Sequence, residues 1–161
     1  MSQDYFELFE LKPTPALRDN TFVSKKYQQL QKQYHPDFFT LATEEEREEA
    51  LQKSATVNEA YKVLKDKYAL IAYYLQVNGM LLVDEKYSLP PDFLMEMMEL
   101  NENFSENPDV VKEVKEYISD LEEDVDPVLY KNSDEHDEKD YATLKEFYYK
   151  AKYLQRLLDR I

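Results

Sequence analysis

A single glycine, Gly79, serves all 161 residues. Phosphate-cradling loops need clustered glycines, so neither a Walker loop nor a dinucleotide-binding fingerprint can be built here. Scarce glycine, seven scattered prolines and apolar residues recurring at steps of three and four predict an all-α chain. No strand, internal repeat or low-complexity tract is legible. With 43% hydrophobic residues, a chain of this length can build a packed core without covalent staples. The absence of cysteine excludes disulfides, thiolate metal sites and a thiol nucleophile. Two histidines alone leave a zinc site short of its usual ligands. A catalytic helical domain is therefore disfavoured, and no cofactor or metal is expected.

The net charge of -14 argues against general affinity for nucleic acid or an anionic membrane, both of which attract basic surfaces. Its distribution is uneven. Residues 1–78 hold 10 Lys/Arg against 12 Asp/Glu, whereas residues 79–161 hold 10 against 22, which suggests two functional halves. No apolar run approaches the roughly 20 residues of a membrane span. Residues 1–6 show neither a signal-peptide apolar core nor an arginine-rich transit pattern, so a cytoplasmic location is expected.

The apolar spacing places a first short helix at residues 4–11, with Tyr5, Leu8 and Phe9 on one side, stopped by Pro13 and Pro15. A second helix at 17–34 turns Val23, Tyr27, Leu30 and Tyr34 inward. After a loop at 35–42, Thr43 and Glu46 form a capping-box signature for a third helix, which buries Ala50, Val57, Tyr61 and Leu64 and runs to about residue 65. A fourth helix at 68–77 should end at Asn78-Gly79 in a left-handed cap.

Residues 79–90 read as a linker between domains at 1–78 and 91–161. Beyond it, a helix spans 91–104, and a second starts with Asn107 as cap and Pro108 at its first position. That second helix turns Val111, Val114, Ile118, Leu121 and Val125 inward and is bent or ended by Pro127. The acidic stretch 132–140 reads as a solvated connection. The last helix, from about residue 141, presents Leu144, Phe147, Ala151, Leu154, Leu158 and Ile161. A three-helix bundle is the natural packing.

His35-Pro36-Asp37 follows a helix whose outer surface bears Arg18, Lys25, Lys26 and Lys32, a local basic patch in an acidic protein. Pro36 fixes the backbone so that His35 and Asp37 project from a tight turn, as expected of a docking surface for an acidic partner. A helix-ending loop beside a solvated face would show the same tripeptide. Its setting between two long helices with short ones on either side resembles a J domain, the DnaJ-type module that stimulates ATP hydrolysis by a heat-shock-family ATPase chaperone. The resemblance covers residues 4–78. It implies that His35, Pro36 and Asp37 activate the chaperone (DnaK/HscA type), with Lys25, Lys26 and Lys32 as electrostatic contacts. Further matches at residues 5–11, 28–37 and 54–61, and at Phe93-Leu94-Met95-Glu96 with Glu99-Leu100, resemble the HscB-type co-chaperones of iron-sulfur cluster assembly. One departure is Phe38, where that family usually has a basic residue.

The helix from residue 91 has more apolar residues than one core face uses. At about 100° per residue, Phe93, Met97, Leu100 and Phe104 fall on one stripe, whereas Leu94, Met95 and Met98 make a second apolar face beside Glu99 and Glu102. A polar-rimmed patch rich in flexible methionine suits protein binding, although a helix wedged between two neighbours would also need a wide apolar arc. Tyr149 and Tyr153 lie off the core stripe of the last helix. The HscB resemblance implies that Leu94, Met95, Met98, Glu99, Glu102 and Tyr153 bind an iron-sulfur scaffold protein. His136, set among Asp134, Glu135, Asp137 and Glu138, is read as part of a solvated acidic loop, since contiguous ligands rarely enforce a coordination geometry.

The expected function is a co-chaperone, not an enzyme, that holds an iron-sulfur scaffold on the bundle and delivers it to the ATPase chaperone. The alternative is a J-domain co-chaperone serving a different client.

Overall fold

The computed structural model describes residues 4–17 and 20–160, and the chain divides into two compact units, Met1–Tyr73 and Tyr74–Ile161. In the first unit, α1 (Tyr5–Leu8) is followed by α2 (Asn20–Tyr34), a 3-10 turn (Pro36–Phe39) and α3 (Glu44–Leu64); α4 (Lys67–Val77) contains the division. Asp4 caps α1 by accepting the Phe6 N–H at 2.8 Å. With one turn of helix the apolar spacing is ambiguous, and Phe6 and Phe9 take the core while Tyr5 and Leu8 are half-buried. Tyr5 stacks on Tyr73 with ring centroids 4.7 Å apart. The Tyr73 hydroxyl accepts the Tyr5 N–H at 2.9 Å and donates to Asp4 at 3.2 Å. Burial and the Asp4 charge push Tyr73 up to about 12.

Helices α2 and α3 run antiparallel, because Tyr27 stacks on Tyr61 at 4.1 Å while Gln31 meets Ser54 and the Lys53 amine lies over Tyr34. Val23 and Leu30 are buried as expected, with Tyr27 and Tyr34 half-buried. Tyr27 and Gln31 both donate to Asn58 Oδ1 at 2.8 Å, a polar clasp along the hairpin edge. Thr43 opens α3 with a complete capping box, Thr43 Oγ1 accepting from Glu46 N–H and Glu46 Oε2 from Thr43 N–H. Gly79 closes α4 at φ 70°. Met80 N–H bonds to Leu75 O at 2.8 Å and Gly79 N–H to Gln76 O at 3.0 Å, the paired bonds of a Schellman end that favours glycine.

The second unit contains α5 (Pro91–Glu102), α6 (Val110–Leu129) and α7 (Glu138–Asp159). Phe93 and Met97 of α5 join Val110, Val114 and Ile118 of α6 and Leu154 and Leu157 of α7 in one core. The start of α6 and two of the buried positions differ from expectation. Asn107 and Pro108 do not open α6: Asn107 Oδ1 accepts the Asp109 N–H at 2.9 Å in a local turn, and the helix starts at Val110. This start buries Val110 rather than Val111, which is half-buried. Pro127 lies inside α6, which continues to Leu129. Its missing N–H falls in the last turn, where burial of Val125 and Leu129 keeps the segment helical. On α7, Leu144, Phe147, Ala151 and Leu154 are buried as expected, and Leu157 is buried where Leu158 was expected. Ile161 and Arg18 lie outside the described residues.

The acidic stretch is structured rather than merely solvated. Asp137 and Asp140 form a capping box that opens α7 at Glu138, and Lys131 pairs with Asp140 at 2.7 Å. His136 is wedged between Tyr74 and α6, with Nδ1 2.7 Å from the Tyr74 hydroxyl and Nε2 2.7 Å from Val128 O. A carbonyl only accepts, so Nε2 carries the proton and, in the neutral ring, Nδ1 accepts from Tyr74.

Residues 80–90 are also tied down. Leu81 is buried, Glu85 accepts from Lys145 at 2.6 Å and from the Tyr149 hydroxyl at 3.2 Å, and Tyr87 stacks on Tyr149 at 4.4 Å. Tyr149, expected as an off-face aromatic, is thus half-buried against this segment, and burial with the Glu85 bond pushes it up to about 12. The Lys145 hydrogen bond, aided by Tyr149, holds Glu85 below its ordinary 4.5. A carboxylate with a lowered folded pKa stabilises above the unfolded value and loses that contribution as pH falls through the folded one. Glu85→Gln should therefore lower the thermal midpoint at neutral pH, with the gap to wild type closing as acid melts are taken below pH 4.5. A gap independent of pH would contradict this.

Among the described residues, no helix is long and apolar enough to cross a membrane.

Candidate functional site

The turn at His35 is built from the end of α2. His35 N–H closes on Gln31 O at 2.8 Å, and Pro36 opens the 3-10 turn, where its missing N–H costs nothing. His35 then caps that turn, its Nδ1 accepting the Asp37 N–H at 3.2 Å. A ring nitrogen that accepts is unprotonated, so in this geometry the Asp37 carboxylate, 3.5 Å from the same Nδ1, is not ion-paired with it. Both side chains reach solvent, Asp37 almost fully. The result is a locally hydrogen-bonded tip presenting an imidazole and a carboxylate without a paired cation to solvent.

The three lysines expected beside the tip differ in availability. Lys25 and Lys32 are exposed on α2. Lys26 is engaged, its ammonium held by the Glu10 carboxylate of the loop after α1. Glu10 sits at φ 54°, a left-handed conformation uncommon for a side-chain-bearing residue. Sequence spacing gave no signal for this pair, because 16 residues separate its members.

On α5 the separation of faces is clear. Phe93 and Met97 are buried, whereas Leu94, Met95 and Met98 are 39%, 64% and 62% exposed. Glu99 and Glu102 are exposed beside them. Tyr153 is half-buried, its ring edge-on to Phe93 at 5.9 Å and beneath the Arg156 guanidinium at 6.0 Å. Tyr117, not singled out from sequence, also meets Phe93 edge-on at 6.0 Å, and burial with a Glu96 hydrogen bond pushes it up to about 12. Its position at step three from Val114 was the available signal. Among the described residues no cluster of three or more His, Asp or Glu is placed to hold a metal ion.

Known proteins agree with both units. Residues 4–73 match the family model of the DnaJ domain, and the helical hairpin with its His35-Pro36-Asp37 turn makes this chain a J-domain protein. Residues 89–161 match the family model described as the HSCB C-terminal oligomerisation domain. With the two in this order, the chain belongs to the HscB-type J-domain co-chaperones. It is 43% identical over 98 residues to a co-chaperone protein HscB homolog of Vibrio vulnificus and 42% identical over 98 residues to that of Vibrio parahaemolyticus. Each alignment takes in 60% of this chain and 57% of the relative, little more than half the relative's length. The crystal structure of human co-chaperone protein HscB superposes with a TM-score of 0.80 and 28% identity, covering 99% of this chain and 80% of that one. The chaperone HscB from Vibrio cholerae gives 0.70 and 27%, covering 98% and 94%.

Proposed function

We propose that this chain is a cytoplasmic co-chaperone, without catalytic activity of its own, that binds an iron-sulfur scaffold protein and delivers it to a heat-shock-family ATPase chaperone, stimulating ATP hydrolysis. Residues 1–78 act as the J domain, 79–90 as the connection and 91–161 as the scaffold-binding domain. His35, Pro36 and Asp37, with Lys25 and Lys32, meet the chaperone. Lys26 contributes its charge only when Glu10 releases it. Leu94, Met95, Met98, Glu99, Glu102 and Tyr153 meet the scaffold.

The observation that carries the reading is the presence of two unlike exposed surfaces on two units: a polar tip following a helix that carries exposed lysines, and an apolar strip edged by carboxylates. Such a division suits an adaptor. Stimulating hydrolysis requires that the J domain bind the hydrolysis-competent state of the chaperone more tightly than the other state.

Calorimetric titration with an iron-sulfur scaffold protein from the same organism tests the second surface. Wild type should bind, and Leu94→Ala/Met98→Ala should weaken binding at least ~10-fold at matched helicity, as expected when two anchors leave an interface centre. Wild type that fails to bind the scaffold would leave a J-domain co-chaperone with a different client.

A further inference from the structure

Two neighbouring phenylalanines in the 3-10 turn have different surroundings. Phe39 is half-buried where the turn packs on α3. Phe38 is 67% exposed, and Leu41, three residues on, is fully exposed. Neither of the latter is used by the core of the unit. Apolar area left at the surface beside a docking tip is area that a partner covering the tip would remove from water, at about 25 cal/mol per Å².

Phe38 is held in place. Its N–H bonds to His35 O at 3.0 Å, and its ring stands edge-on to the His35 imidazole with centroids 6.3 Å apart. A macromolecule that covers His35 and Asp37 therefore also covers Phe38. Little positive charge lies next to the turn: Lys32 is exposed in the last turn of α2, Lys26 is held by Glu10, and position 38 supplies no cation, which leaves apolar area as what position 38 offers.

We propose that Phe38 and Leu41 form an apolar contact continuous with the His35-Pro36-Asp37 tip, and that the ATPase chaperone carries a complementary apolar patch beside the groups that receive His35 and Asp37. This rests on the reading of the tip as the chaperone-activating surface. The contact makes Phe38 a specificity determinant. A chaperone surface with carboxylates opposite this position suits a cation, whereas one with apolar side chains suits this chain. Association then depends less on ionic strength than it would with a lysine at position 38, because screening acts on charge and not on buried apolar area.

The experiment is ATPase stimulation of the chaperone from the same organism, titrated with the full chain at low and high salt, for wild type, Phe38→Ala, Phe38→Lys, Leu41→Ala and His35→Ala. Phe38→Ala should raise the half-saturating concentration about 10-fold, as for an aromatic anchor, with plateau and thermal midpoint unchanged. Leu41→Ala should raise it by a smaller factor. Phe38→Lys should also weaken the response at physiological salt and make it fall more steeply as salt increases. Unchanged titrations for Phe38→Ala and Leu41→Ala, with stimulation lost in His35→Ala, overturn the apolar contact while leaving the tip's role intact. Wild type that does not stimulate, or His35→Ala that stimulates fully, overturns the reading of the tip and this proposal with it. Concentration-dependent self-association in wild type that Phe38→Ala abolishes, with stimulation unchanged, assigns the patch to a second copy of the chain and overturns the chaperone contact.

Discussion

His35→Ala should abolish stimulation of the chaperone's ATP hydrolysis while the protein stays folded. The imidazole is half exposed, and its intramolecular bond is one contact from the Asp37 N–H on the surface of the turn. Losing a solvent-accessible hydrogen bond costs about 1 kcal/mol or less, against the roughly 5–15 kcal/mol that holds a domain together. Asp37→Asn separates shape from charge. It keeps the side-chain volume and removes a carboxylate that has no compensating cation in this geometry, so stimulation should fall nearly as far. Turnover measured at saturating chaperone, beside melts followed by circular dichroism, gives both readings. A His35→Ala protein that loses its helical signal at room temperature would make the histidine a structural residue and remove the basis for assigning it to the interface.

Leu154→Ala should destabilise the protein by about 2–5 kcal/mol, the range for a leucine removed from a closed core. Leu154 is fully buried on α7 and shares its cluster with Phe93 and Met97, the residues that seat α5. The cavity would therefore open beneath the helix whose outer face carries Leu94, Met95 and Met98, and scaffold binding should weaken although no exposed residue has changed. Met95→Ala, on the opposite side of that helix and 64% exposed, should shift stability by only about 0.5 kcal/mol, as is usual for a surface position. Urea unfolding of the two variants makes the comparison. Equal midpoints would show that α5 does not depend on this core.

The helices were legible in the sequence because three-and-four spacing repeats over several turns in α2, α3, α6 and α7, and because Thr43, Glu46 and Gly79 mark ends with chemistry that one or two residues complete. Legibility failed where the signal is short or nonlocal. One turn of α1 holds too few residues to tell Phe6 from Tyr5, and the stack that decides the matter involves Tyr73, 68 residues away. Asn107-Pro108 had the composition of a helix start, yet the Asn107 side chain is spent on a turn one step earlier. The Asp137 and Asp140 box was hidden because five of the residues from 134 to 140 are acidic and the two that cap have the same composition as those that do not.

The candidate surfaces divide in the same way. The exposed face of α5 was readable from angular position alone, since its apolar residues exceed what one core stripe can hold. The His35 turn needed its setting between two helices before the tripeptide carried weight. What could not be read was how much of the cationic patch is free: Lys26 looks like Lys25 in sequence, and only the fold brings Glu10 to its ammonium. Glu85 and Tyr87 likewise looked like spacer residues until α7 supplied Lys145 and Tyr149.

The two histidines of the chain fall one in each unit, and each ring accepts a defined hydrogen bond at Nδ1, from the Asp37 N–H at His35 and from the Tyr74 hydroxyl at His136. Nitrogen-15 spectra of the imidazoles therefore contain a separate, assignable signal from each unit of the chain. A ligand titration that perturbs the His35 resonances and leaves those of His136 unchanged identifies occupancy of the tip, with no label added to the protein.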